Sequence, residues 1–282
     1  MRLFLLTALT MVAFAANSIL NRAGVLPGGL SAEAFGVVRL WAGAVMLAAL
    51  VLWQRGSFRL GGDKRGAGMA SLMVYIFGFS FAYNGLDAGT GALILFGMVQ
   101  VTMFAGGLLS GERPPALRWV GAGVAFAGLA WMLWPGSGVP VSVMHGVSMA
   151  AAGVGWGIYS LVGRGAADAL QSTAANFVLA ALASFALVVF LPVGTAILAA
   201  PGWALLLAIL SGAVTSGLGY ALWYSVLPRL PRSTAAVAQL TVPVLATAGG
   251  VLLLGEALSL GFVVASLVVL GGVALSVLAG RG

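Results

Sequence analysis

Thr90-Gly91-Ala92, running through Gly106 and Leu108-Leu109 to Gly111-Glu112, is written a second time in this chain. Thr234-Ala235-Ala236, running through Gly250 and Leu252-Leu253 to Gly255-Glu256, repeats it in the same order at a constant offset. Working outward, Ser18 and Arg22 match Ser160 and Arg164, and Phe35 and Leu40 match Phe177 and Leu182, at a second constant offset. Shared apolar composition alone aligns at many offsets. Identities held in register through a Gly-Glu ending mark an internal repeat.

The copies sit in an extremely apolar chain. Of 282 residues, 61% are hydrophobic and 7% charged, and mean hydropathy is +1.11. A water-facing surface typically needs about 25% charged residues, so lipid must be the solvent for most of this one. The formal charge of +7 raises nucleic-acid binding as a question. The basic residues lie singly or in small groups between apolar runs, without the contiguous basic face such binding needs. Cysteine is absent, which removes disulfides, thiolate metal sites and cysteine nucleophiles. Arg2 precedes the first apolar run as in a signal peptide, but the run passes Ala15 and Ala16 without a clear cleavage site. It is read as the first span.

A bilayer core takes about 20 apolar residues per helix. Ten segments qualify: roughly 3–22, 31–53, 66–84, 89–111, 117–134, 143–163, 172–192, 203–223, 233–254 and 259–279. Short links carrying Pro and Gly, such as Leu26-Pro27-Gly28-Gly29 and Pro201-Gly202, join them. With the N-terminus in the cytoplasm, Arg2, Arg55, Arg59, Lys64, Arg65, Arg113, Arg118, Arg164, Arg229, Arg232 and Arg281 all fall inside. Arg22 alone falls outside and Arg39 lies within a span. The positive-inside rule therefore places both termini in the cytoplasm of a cell inner membrane protein. Trp53, Trp119, Trp134, Trp203 and Trp223 fall near span ends, as an aromatic belt would.

The expected fold is all-α and integral to the membrane, ten spans in two halves: residues 1–138 with spans 1–5, and 139–282 with spans 6–10. Five is odd, so the second copy enters the bilayer in the opposite sense. Such inverted repeats place a substrate site near the midplane between the halves.

With this repeat the chain resembles the drug/metabolite transporter superfamily in its ten-helix EamA-type form. The resemblance rests on Gly111-Glu112 and Gly255-Glu256, the Thr-Ala-Ala-like openings of spans 4 and 9, Arg39, and the aromatic ends Ala82-Tyr83-Asn84 and Trp223-Tyr224. It covers the whole chain and implies an exporter working by alternating access. Its central cavity would be lined by spans 1, 3, 4, 6, 8 and 9. Within the superfamily the chain looks most like the aromatic amino-acid exporters. It departs from the pattern at Ala181, which stands where Arg39 has its match.

On those cavity spans, polar and aromatic side chains are the candidate substrate contacts. Asn17 and Tyr159 occupy one repeat position, and Phe14 and Trp156 another. Gln100 and Gln239 are amides able to bond a zwitterion without burying a charge. Phe77, Phe79, Phe81 and Tyr83 cannot all face inward, because alternate residues point about 200° apart on a helix. Packing against a neighbouring helix or lipid is the alternative for each, and Phe79, Tyr83 and Tyr220 are carried forward as candidates. Pro243 is the one proline deep within a span and a candidate hinge. Arg39 either snorkels outward and pairs with Glu33 or faces the cavity and holds a carboxylate. Glu112 and Glu256 sit at helix C-termini, against the helix dipole, so each should find a specific partner. They mark helix ends or gate the path.

All six acids lie at span ends or in loops, and His145, the sole histidine, is expected at a membrane face. Nothing assembles a nucleophile with its base, so no catalytic, metal or cofactor site is expected. No carboxylate stands ready to titrate at the midplane. Facilitated transport of neutral or zwitterionic metabolites, with hydrophobic and aromatic amino acids leading, is the expectation. The alternatives are export of other amino acids or of drugs by proton antiport, and, more remotely, an intramembrane enzyme. The expected partners are the amino-acid substrate and the lipid bilayer, with no nucleic acid; the sequence leaves the oligomeric state open, a monomer being one reading.

Overall fold

A segment crossing lipid has no water to satisfy its backbone, so each apolar run must close its hydrogen bonds within itself as a helix. The computed structural model, which describes residues 1–111, 113–134, 138–139, 141–163, 166–230 and 232–278, has that form: no strand occurs among the described residues. Glu112, Arg164 and Arg281 lie outside them. Seven helices match the first seven runs: α1 (Arg2–Val25), α2 (Ala32–Arg55), α3 (Arg65–Ala82), α4 (Ala88–Leu109), α5 (Ala116–Leu133), α6 (Val143–Gly163) and α7 (Ala169–Phe190). A short α8 (Val193–Leu198) follows in the next link.

The eighth and ninth spans depart from the plain helices expected. The eighth is α9 (Gly202–Leu210), a π-helical segment (Ser211–Leu218) and α10 (Gly219–Val226). The ninth is divided into α11 (Arg232–Gln239) and α12 (Thr241–Leu254), and α13 (Leu260–Leu278) completes the chain. The ninth breaks at Leu240, and Pro243 falls in the first turn of α12 rather than at a mid-helix kink. The reason is local. Proline lacks the N–H that would bond the carbonyl four residues back, here Gln239, and the break releases that carbonyl.

Among the described residues, nine spans are long and apolar enough to cross a membrane. α3 falls outside that set, opening on Arg65 and carrying Ser71 and Ser80 on its buried side. At 18 residues it is as long as α5. The chain is a multi-pass α-helical membrane protein.

Helix ends carry the expected chemistry. Ser31 caps α2 by accepting the Ala34 N–H at 3.3 Å, and Asp168 caps α7 by accepting the Gln171 N–H at 3.1 Å. Gly56 ends α2 in the left-handed region at φ 66°, its N–H on the Leu52 carbonyl.

Contacts between the halves come in matched sets. α3 packs on α6, and the eighth span packs on α1; α4 packs on α6, and α12 packs on α1. α2 meets α7, α4 meets α12, and α5 meets α13. α2 also meets the π segment, as α3 meets α7. Exchanging the halves maps each of these pairs onto another or onto itself, which is compatible with two inverted units. α5 and α13 approach backbone to backbone: a Cβ on Gly121 would strike Ser276 N and the Gly272 carbonyl.

Two ends of the bundle follow from the chain path: an N face, where α1 begins, and an opposite face, where it ends. On the N face, Arg55 Nε meets Asp168 Oδ2 at 3.1 Å. Arg65 Nη1 reaches the Ser172 carbonyl at 2.8 Å and Asn176 Oδ1 at 3.0 Å, tying α3 to α7.

Candidate functional site

Six aromatic rings converge midway along the bundle. Phe14 meets Trp156, Tyr220 and Trp223 edge-on, with ring centroids 6.3, 5.8 and 5.9 Å apart. Tyr75 tilts against Phe79 at 5.4 Å and Trp156 at 5.0 Å. All of them but Trp223 line a chamber of about 10 Å³, room for one group the size of a water molecule. Asn17 and Ser18 supply its polar wall, and Leu95 and Phe96 of α4 close it.

The polar wall is organised by the π segment. A π turn offsets the side chains that follow it and recurs at functional sites. Here it turns Ser211, Thr215 and Ser216 inward, all buried. Ser211 Oγ and Thr215 Oγ1 stand 2.6 and 2.9 Å from Asn17 Oδ1. That fixes the Asn17 amide with Nδ2 toward Tyr75 Oη, at 3.3 Å. Gly212 allows the segment to press on α2, since a Cβ there would strike the Arg39 carbonyl.

Arg39 takes neither surface course. It is fully buried, and among the described residues no ion pair links it to Glu33. Its Nη2 donates to Tyr75 Oη at 2.8 Å and its Nε to Ser216 Oγ at 3.1 Å. The guanidinium carbon sits 5.1 and 5.0 Å from the Tyr75 and Phe79 ring centres. The desolvated cation is therefore held by neutral oxygens and ring faces, behind the chamber wall.

A wider vestibule of about 710 Å³ lies one turn nearer the N face. α4, α6 and α10 each line both spaces, through Phe96 and Gln100, Trp156 and Ser160, and Tyr220 and Trp223. Gln239, at the break between α11 and α12, lines the vestibule too. Trp223 was expected in the interfacial belt. It is 5% exposed, whereas Trp53 and Trp134 are 83% and 71% exposed. It lies between the two spaces because the eighth span runs further, to Val226, than its apolar run suggests.

The opposite face is shut. Glu256 reaches from the end of α12 to the start of α4, both carboxylate oxygens near the Ala88 N–H. Arg22 Nε stands 3.5 Å from Glu256, Arg22 Nη2 stands 3.7 Å from Asp87, and Nη1 donates to the Tyr83 carbonyl at 2.7 Å. Three helix ends and a loop are thus tied by one arginine. Burial raises the Glu256 carboxyl above its ordinary value, partly offset by the Ala88 N–H.

The sequence candidates sort by place. Asn17, Phe79, Trp156 and Tyr220 line the chamber, and Gln100 and Gln239 the vestibule. Tyr83 lies above the chamber instead, its ring edge-on to Phe79 at 4.7 Å and its Oη 3.3 Å from the Ala88 carbonyl. Tyr159 stacks behind Trp156 at 5.5 Å. Phe77 packs where a Gly36 Cβ would be, and Phe81 stacks on His145 at 5.2 Å, leaving Phe79 as the inward ring. Sequence reasoning missed Tyr75, Ser18 and Arg22. Tyr75 lies one turn before Phe79, so the same helical face could have flagged it.

Residues 145–278 match the EamA-like transporter family. An uncharacterized protein of Pseudomonas aeruginosa is 48% identical over 275 residues, covering 97% of this chain and 94% of that one. A crystal structure of a protein 20% identical shares the fold, with TM-score 0.67 over 98% of this chain and 97% of the other. The second half of the chain is thus similar to the EamA-like transporter family, which supports a place for the protein in the drug/metabolite transporter superfamily.

Proposed function

We propose that this transporter exports small zwitterionic metabolites, with hydrophobic and aromatic amino acids foremost, across the cell inner membrane. The observation that carries this is the convergence of six aromatic rings on one fixed amide, Asn17, with no ionised acid in the chamber wall. An apolar body stacks on such rings, and polar groups placed beside them set its orientation.

The two halves, residues 1–138 and 139–282, act as inverted units about this centre. With both termini in the cytoplasm, the vestibule faces the cytoplasm and the Arg22–Glu256 closure faces outward, the arrangement of a loading state. Alternation then opens the outer side as the vestibule collapses. Transport is facilitated, driven by the substrate gradient. Asp87, Asp168 and Glu256, the acids that form ion pairs here, all lie at helix ends, away from the chamber.

Side-by-side uptake of radiolabelled phenylalanine, threonine and methyl viologen into proteoliposomes tests this. Saturable phenylalanine transport that needs no proton gradient is expected. Preference for threonine points to a broader amino-acid exporter, and transport of the dication overturns the zwitterion reading. Uphill movement driven by a proton gradient alone overturns the facilitated mechanism.

A further inference from the structure

We infer that the chamber is a carboxylate site, charged from behind by Arg39 through Tyr75. This rests on the reading of the cavity as the substrate path and names the group the substrate must carry there.

The argument is a count of hydrogens. Asn17 Oδ1 accepts the Ser211 hydroxyl, and the Thr215 hydroxyl divides its one hydrogen between that oxygen and the Ser211 carbonyl, which leaves the amide donating toward Tyr75. Tyr75 Oη receives Arg39 Nη2 as well, and Tyr220 Oη lies 3.3 Å from it. Guanidinium and amide nitrogens have no lone pair to offer. Whichever phenol donates to the other, one phenolic hydrogen is left without an acceptor in this cluster. Two further buried groups lack partners: Ser18 Oγ, in the chamber wall, and Arg39 Nη1, behind it. At the chamber the orphans are donors, Ser18 being able to act as either; an unpartnered acceptor, Asn21 Oδ1, lies one turn further along α1, outside the chamber wall.

Such a set is costly to bury unless an acceptor completes it. A lone guanidinium without a counter-charge adds to that demand. Among the described residues no carboxylate pairs with Arg39, so none of them supplies the anion. A substrate carboxylate answers the chamber-facing part of it: its oxygens accept from the phenol and Ser18, and its charge offsets Arg39 across the Tyr75 ring. The chamber holds one oxygen-sized group in this state. Full seating of the head group therefore displaces the Trp223 and Phe14 rings, while the apolar body stays in the vestibule. Arg39 is a positioning residue, acting through Tyr75 rather than by touching the ligand.

Three probes that differ only in head group test the inference by calorimetric titration of the purified full chain: 3-phenylpropionate, 2-phenylethanol and phenethylamine. Binding about tenfold or more tighter for the carboxylate than for the alcohol is expected, with the amine no better than the alcohol. Arg39→Gln should weaken carboxylate binding about tenfold or more beyond any change in 2-phenylethanol binding, erasing the preference. Ser18→Ala, which removes the unpartnered hydroxyl of the chamber wall, should reduce the preference and serves as the test if Arg39→Gln does not fold. Equal binding of the three probes, or tighter binding of the amine, overturns the inference. So does a carboxylate preference that survives in whichever of the two variants folds. The transport reading fails separately: vesicles that move no phenylalanine, alongside an Arg39-dependent carboxylate preference, sink the exporter and leave this site standing.

Discussion

Both carboxylate oxygens of Glu256 lie 2.9 Å from the backbone nitrogen of Ala88, the first residue of α4. A helix N-terminus carries uncommitted N–H groups and the positive end of the dipole. Asp87, in the N-cap position, makes no side-chain cap bond. Glu256 supplies the cap from another helix. Its own awkward place at the C-terminal end of α12 is thereby explained: the carboxylate turns away from its own helix dipole and toward the favourable end of a neighbour's. Gly255, at φ 68°, makes the turn, and the Glu256 N–H bonds the Gly250 carbonyl at 3.1 Å. The Gly-Glu pair is thus a latch between helix ends.

Breaking the latch should unlock the opposite face. Glu256→Gln removes the charge from contacts with Arg22 and Ala88, and charge-assisted bonds are worth about 1.5–3 kcal/mol. The balance between the two open states should move by roughly tenfold or more. Because the chain is free of cysteine, a single Ser18→Cys reports on the chamber. Its labelling by an impermeant maleimide from the opposite face should rise by that factor in the double variant. Unchanged labelling would mean the contacts are incidental.

Gly250→Ala should reproduce this without touching a charge. A Cβ there collides with Glu256 Oε2, the movable end of a side chain, so the helix accommodates it and the carboxylate shifts off Ala88. Alanine is the better helix former by about 1 kcal/mol. The expected signature is therefore a split: the helix gain offsets part of the lost latch, so thermal stability falls less than in Glu256→Gln, while Ser18→Cys labelling from the opposite face increases as much. A fall in stability without increased labelling would contradict the latch geometry.

Much of this was legible in the chain. Apolar run length located the helices, and the repeated Gly-Glu ending singled out Glu256 before its partner was visible. Helical phase separated Phe79 from Phe77 and Phe81 in principle, since only one face of α3 can look inward. What stayed hidden was set by backbone irregularity and by three-dimensional pairing. The π segment rephases Ser211, Thr215 and Ser216 toward Asn17, and no periodicity rule anticipates such a shift. Arg22 read as a lone outside charge, because its partners Asp87 and Glu256 are far away in sequence. For Arg39 the sequence leaves the interface and the cavity both open, because the hydroxyls that hold it come from α3 and the π segment.

The repeat itself is open to a test of sign. Glu112 stands to Gly111 as Glu256 stands to Gly255, and Gly111 likewise adopts a positive φ, 83°. If the halves are inverted copies, Glu112 latches the N face in the state where the opposite face is open. Removing the Glu256 charge should then favour opening toward the opposite face, and removing the Glu112 charge should favour the N-face-open state seen here. Ser18→Cys labelling from the N face should rise with Glu112→Gln and fall with Glu256→Gln, while labelling from the opposite face moves the other way. The double variant, losing both latches, should return near the parent ratio if the two contributions are independent. Shifts of the same sign in both single variants would be incompatible with an inverted pair of latches.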